Sequence, residues 1–112
     1  HSQNMLSHGY VGHEEPDGAT IKDRYLDRGL LPDCRLPVAG ENLYYPGAEN
    51  AAVVSTFESP SDIADQLFTV WMNSRGHRRA MLVASADEGG LGIAISEDLD
   101  VYASLELCAN GP

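Results

Sequence analysis

The last quarter of the chain alternates in polarity, and that limits what the rest can fold into. Leu91, Ile93 and Ile95 are separated by Gly92 and Ala94, and Val101, Ala103, Leu105 and Leu107 are separated by Tyr102, Ser104 and Glu106. A period of two marks a strand with one covered face. Residues 96–100 form the turn between the two runs, so the pair reads as an antiparallel hairpin. The segments before it carry helix signals. Helices first and strands last point to an α+β layout, with helices packed on an antiparallel sheet.

The clearest helix begins at Ser59. Ser59 is the cap, Pro60 takes the first helical position and Asp62 completes the box. Ile63, Leu67, Val70 and Trp71 recur at helical spacing, with Phe68 widening the stripe. Gly76 is expected to break this helix, and residues 77–82 to form another short one. An earlier short helix has Thr20 as cap and Asp23 as its capping-box partner. Ile21, Tyr25 and Leu26 give it an apolar face and Gly29 ends it. Glu15-Pro16-Asp17-Gly18 ahead of it has the chemistry of a turn. Residues 1–8 suit a helix but carry no start signal, so they read as the tail of a longer helix whose first turns are missing. Residues 30–39 read as loop, residues 40–45 as the lead into a short apolar piece and residues 46–59 as loop. With 112 residues and no repeat, linker or low-complexity stretch, a single domain over 1–112 is expected.

Charge and cysteine content exclude several function classes. The net charge is −10, and only Arg75, Arg78 and Arg79 cluster, too few cations to hold a nucleic-acid backbone. No run of eighteen apolar residues exists to span a membrane. Cys34 and Cys108 lie too far apart for a metal knuckle or a redox pair. In a secreted chain they would form one long-range disulfide, worth roughly 2–4 kcal/mol; in a cytosolic one they would be two buried thiols.

Residues 71–82, Trp-Met-Asn-Ser-Arg-Gly-His-Arg-Arg-Ala-Met-Leu, resemble the W-x-N-S-x-G-H-R-x-x-M/I-L block of the bacterial and archaeal branch of the CAP superfamily (cysteine-rich secretory, antigen 5 and pathogenesis-related-1 proteins). His1-Ser2-Gln3-Asn4-Met5, residues 7–18 with His13 inside them, and Gly40-Glu41-Asn42-Leu43 follow in that family's order. The resemblance implies a CAP-type three-layer α-β-α sandwich around a central antiparallel sheet, in an exported or cell-surface setting. It also implies a cleft lined by two histidines and two acids, in which some members bind a divalent metal such as zinc. By motif the first histidine is His13, the first acid Glu41 and the second histidine His77. The second acid would stand where this chain has Ser74, so three of the four remain. Related prokaryotic sequences tend to carry cysteines ahead of the Gly-Glu-Asn block and at the last strand, which favours the Cys34–Cys108 bond.

Read without the family, each residue has a plain explanation. His13 fits a solvated loop, His77 a helix start and Glu41 a loop tied to backbone amides. Taken together, His13, His77 and Glu41 match the ligand set of some catalytic zinc sites, which leaves no base if Glu41 is a ligand. A binding domain for a divalent metal or a small envelope ligand, acting as a monomer, is therefore the primary reading. The alternative is a metal- or serine-dependent hydrolase with Glu41 or Ser74 as catalytic groups, although Ser74 sits in no nucleophile elbow. A third reading has the triad only bracing its loops.

Seventeen carboxylates face one lysine and six arginines. A salt-loving source or an ordinary acidic extracellular protein would both show this composition. If the surface repels itself, the melting temperature should climb between low and molar salt as screening grows. A flat response would remove the salt-loving reading.

Overall fold

The computed structural model describes residues 1–30, 49–55, 57–84 and 86–109. Among them are four helices and three strands, in the order α1 (Ser2–His8), α2 (Ile21–Asp27), β1 (Glu49–Val54), α3 (Pro60–Met72), α4 (Arg75–Met81), β2 (Glu88–Ile95) and β3 (Val101–Cys108). The strands form one antiparallel sheet in the order β1-β3-β2. The layout is α+β, as expected.

Local chemistry places most boundaries. Thr20 accepts from the Asp23 amide while Asp23 accepts from the Thr20 amide at 2.8 Å, a complete capping box. Gly29 follows α2 at φ +68, a left-handed conformation glycine adopts without steric cost. Ser59 accepts from the Asp62 amide at 3.1 Å with Pro60 at the first position. The carboxylate of Asp62 does not return to Ser59 but takes the Glu58 amide at 3.0 Å, so the cap there is shifted by one residue.

Three expectations need correction. Residues 46–59 do not all form loop, because residues 49–54 pair with all six of residues 101–106 on β3. This strand is covered on both faces except at Val53, so it lacks the alternation that betrays a half-covered one. Gly76 does not end α3. The break falls at Asn73 and at Ser74, whose extended backbone (φ −103, ψ 124) starts the next helix, and Gly76 sits in the first turn of α4. The apolar stripe of α3 is narrower than its composition suggests: Ile63, Leu67 and Trp71 are buried, whereas Phe68 and Val70 are exposed.

The core lies between α3 and one face of the sheet, where Ile63, Leu67 and Trp71 meet Ala52, Val54, Val101 and Ala103. Trp71 also donates its indole N–H to the Ala51 carbonyl at 3.3 Å, which ties α3 to β1. On the opposite face α1 meets β2 and β3. There Ser2 donates to the Gly92 carbonyl at 2.8 Å and shares a 2.9 Å hydrogen bond with Ser104. Leu91, Ile93 and Ile95 share the core-side face but sit on the edge strand beyond α3, and each remains about half exposed.

The turn between β2 and β3 carries one local conflict. Leu99 has φ 64 and is exposed, so it bears left-handed strain with little packing in return. Replacing it with Asn, which tolerates that region, should raise stability by about 0.5–1 kcal/mol. Urea unfolding measures this directly, and an unchanged or lowered midpoint would contradict the strain.

Candidate functional site

The segment after α1 is held by a side chain that precedes it. His1 donates from Nε2 to the Gly12 carbonyl at 2.6 Å, and its Nδ1 lies 2.5 Å from Glu15 Oε1. Arg24, on α2, donates from Nη2 to the His13 carbonyl at 2.8 Å. Its Nε lies 3.2 Å from Glu15 Oε1, a charge contact rather than an aligned hydrogen bond. These contacts fix the loop so that the His13 ring meets β1, where its Nδ1 stands 2.8 Å from Glu49 Oε1.

Glu49 is fully buried at the first position of β1. Its Oε2 accepts from Arg24 Nη1 at 2.6 Å, and the same nitrogen reaches Glu106 Oε1 at 3.1 Å. Glu106 is directly opposite Glu49 in the β1–β3 register, so both carboxyls leave the same face of the sheet. Burial would raise the Glu49 pKa, but hydrogen bonds from His13, Glu106 and Arg24, with the Arg24 charge, hold it below the usual carboxylate range. Glu106 moves the other way. Burial, then its hydrogen bond to Glu49 and the charge of Glu49, push it up to about 8 against the opposing pull of Arg24. Two adjacent carboxyls with divided pKa values thus share the site, one ionised and one protonated near neutrality.

His77 approaches from α4. The residue after Glu49, Asn50, is 1% exposed and donates its amide to the His77 carbonyl at 3.0 Å. Burial, then the charge of His13, lower the His77 pKa, which keeps the ring neutral at and somewhat below ordinary histidine values. Its Nδ1 is buried and has no hydrogen-bond partner among the described residues. An orphaned imidazole nitrogen with an unprotonated ring suits a metal ligand or a hydrogen-bonded guest.

Both motif histidines thus touch the start of β1, His13 through its ring and His77 through its backbone, and the charge of His13 lowers the His77 pKa. Glu41 and Cys34 lie outside the described residues. Glu49-Asn50, a second Glu-Asn pair eight positions after Glu41-Asn42, is what touches the histidines: Glu49 binds the His13 ring and Asn50 the His77 backbone. Repetition of the dipeptide was the available signal, and the glycine of Gly40-Glu41 drew attention to the first copy. Glu106 was legible only as an outward position of an alternating strand. Ser74 is half-buried at the head of α4 and makes no capping hydrogen bond through its side chain. The orphaned Nδ1 of His77 is not engaged by it either, so the serine–histidine hydrogen bond required for acyl transfer is not made at that nitrogen.

No group of three or more His, Cys, Asp or Glu is arranged to hold a metal among the described residues. Beside the cluster, between α1, α2 and the glycine-rich start of β2, lies a cavity of about 830 Å³. Arg24 and Glu106 form the wall between it and the buried carboxylate, while His13, Glu49 and His77 do not line it.

Helices packed on both faces of an antiparallel sheet define the class, and the comparisons supply the family. The chain belongs to the CAP family, the cysteine-rich secretory protein family, which matches residues 1–107. It is 29% identical over 93 residues to the "Uncharacterized membrane protein YlbC" of Bacillus subtilis (strain 168), a match covering 83% of this chain. The chain spans only 22% of that relative's length. No solved structure matches it. No helix among the described residues is long and apolar enough to cross a membrane.

The raised pKa of Glu106 has a stability consequence. The folded chain keeps a proton up to about 8 that the unfolded chain releases near the ordinary value of 4.5. The stabilisation linked to this proton is fully present below 4.5 and is lost as pH rises through 8. Glu106→Gln removes the titration, so its melting temperature relative to wild type should improve steadily from pH 5 to pH 8 and then level. Parallel curves for the two proteins would refute the shift.

Proposed function

We propose that this chain is the ligand-binding CAP domain of an exported or cell-surface prokaryotic protein, and that its His13–His77 pair takes a divalent metal, zinc foremost. One observation carries the reading. His13 is held at Nδ1 by a buried carboxylate, as metal-ligating histidines commonly are, while His77 presents a neutral ring with an orphaned nitrogen. The donor set fits a metal in part. The histidines would supply two ligands, Glu49 would orient the first, and Glu41 is the proposed third ligand. A divalent ion there would supply a fixed positive charge able to polarise an oxygen of a bound ligand. Two strong ligands and one from a separate segment imply modest affinity.

Other parts of the reading have their own supports. Helix α1 on one face of the sheet and α3 on the other support the α-β-α sandwich. The family's description as secretory supports the exported setting, and in that setting Cys34 and Cys108 form the disulfide. The cavity beside Glu106, which the histidines do not line, supports a small organic ligand at a neighbouring site. The domain acts as a monomeric binder rather than as a hydrolase, consistent with the missing serine–histidine hydrogen bond at His77 Nδ1.

Calorimetric zinc titration at neutral pH tests the reading. Wild type should take up zinc saturably, a His13→Ala/His77→Ala double variant should not, and Glu49→Gln should bind roughly tenfold more weakly. Both histidines must be neutral to bind metal, so affinity should fall with pH. Because burial and His13 lower the pKa of His77, the loss attributable to His77 should come below the ordinary value of 6.5. Equal heats for wild type and the double variant, or superimposable curves at pH 5 and pH 7, would refute the metal site.

A further inference from the structure

We propose that the open edge of β2 is a docking site for an extended, cationic segment of another protein, which adds a strand to the sheet. The proposal goes beyond the histidine pair and does not depend on it, because the contacts of both histidines lie at β1, the opposite edge of the sheet.

The two edges differ in cover. β1 is buried at five of its six positions, whereas β2 is exposed at seven of its eight. Among the described residues no strand pairs with the outer side of β2. The turn fixes which of its backbone groups face outward. Ser96 donates its amide to the Asp100 carbonyl at 2.9 Å, one step beyond the Ile95–Val101 pair, so residues 96 and 100 are a hydrogen-bonded pair of the ladder. Such pairs alternate along an antiparallel hairpin. The even residues of β2 therefore face β3, and Leu91, Ile93 and Ile95 turn their N–H and C=O groups outward. Their side chains stand on the core-side face, beyond the reach of α3, at 54%, 46% and 49% exposure. Outward backbone groups beside a row of alternate apolar side chains are what an added strand engages. Edge strands that stay solitary are commonly guarded by lysine, proline or a bulge. β2 has no lysine and no proline, and its ladder with β3 runs unbroken from residue 88 to residue 95.

Charge selects the occupant. Glu88 opens the strand and Glu97 and Asp98 follow it, all three exposed, and no lysine or arginine comes after Arg79 in the 112 residues. A second copy pairing edge to edge would set these acids against one another in either orientation. Parallel pairing in register brings Glu88 against Glu88. Antiparallel pairing that lays the apolar residues side by side, with Ile93 opposite Ile93, brings Glu88 against Asp98. Like charges opposite each other destabilise a strand pair. A foreign strand with apolar residues at alternate positions and Lys or Arg at its ends meets the same edge with charges of the opposite sign.

The test uses a capped synthetic peptide, Lys-Thr-Val-Thr-Val-Thr-Val-Thr-Lys, whose valines can lie beside Leu91, Ile93 and Ile95 and whose lysines then reach Glu97 and the start of β2. Amide hydrogen exchange of the domain is followed by NMR with and without it. The peptide should slow exchange at Leu91, Ile93 and Ile95 and leave β1 unchanged. A peptide with Glu in place of both lysines should bind roughly tenfold more weakly, since two exposed attractions become two repulsions. Ile93→Lys, at a half-exposed position, should abolish the protection while its melting temperature stays close to wild type. No slowing at these three amides at about 1 mM peptide overturns the proposal. So does equal affinity for the two peptides, or unimpaired binding by a folded Ile93→Lys. If that variant does not fold, the two peptides on wild type still decide. Slowing of the same amides in peptide-free protein as its concentration rises, with a doubled mass in sedimentation, assigns the edge to a second copy and overturns the cationic partner.

Discussion

The guanidinium of Arg24 is the contact on which the site depends. From α2 it reaches β1 through Glu49, β3 through Glu106 and the loop after α1 through the His13 carbonyl. Burial opposes its charge, yet the hydrogen bonds and charges of Glu49 and then Glu106 raise its pKa, so the cation is locked in. Lysine could not make these three contacts, because it lacks the planar fork that donates in separate directions. Removing such a cation would leave Glu49 uncompensated in the interior, a change of about 3–5 kcal/mol in comparable buried pairs. A domain this small has little stability beyond that. The candidate cluster is therefore also part of what holds the fold together, so any effect on binding must be separated from loss of folding by variants that keep the charge balance.

How much of this was legible in the sequence follows from the range of each signal. Caps act over three residues, so the Thr20-Asp23 box and the Ser59 cap were read correctly from four positions, while the return bond expected from Asp62 went to Glu58 instead. Alternation over 91–107 was read correctly because one face of β3 meets the core and β2 continues that face at the sheet edge. β1 was missed for the opposite reason: Glu49 to Ala52 and Val54 are all buried, and a strand covered on both sides has no period of two to detect. Phe68 and Val70 were misplaced because composition reports which residues are apolar but not how wide a partner's face is.

The site was legible in part. Family motifs named His13 and His77, and the fold places both at the β1 edge, close enough for one to lower the other's pKa. The acid that touches them was not legible. Glu41 and Glu49 each begin a Glu-Asn pair, and only the three-dimensional register shows that Glu49 faces a histidine ring and Glu106. The pairing of residues 49 and 106 spans more than half the chain. No local pattern encodes it, since it depends on a β1–β3 ladder whose first member carries no strand signature.

The overall acidity and the site do different work. A surface carrying −10 draws cations of every kind toward the domain and screens away in salt. Within the cluster Arg24 is shared among Glu15, Glu49 and Glu106, and the raised pKa of Glu106 lessens the negative charge there. In the metal site proposed above, selection between cations would come from the ligands, and the ligands the described residues offer are imidazole nitrogens. Calcium and magnesium prefer carboxylate and carbonyl oxygen, whereas imidazole favours zinc and its neighbours. On that proposal, a Glu106 that keeps its proton adds no second charged carboxylate, and the imidazoles would set the preference.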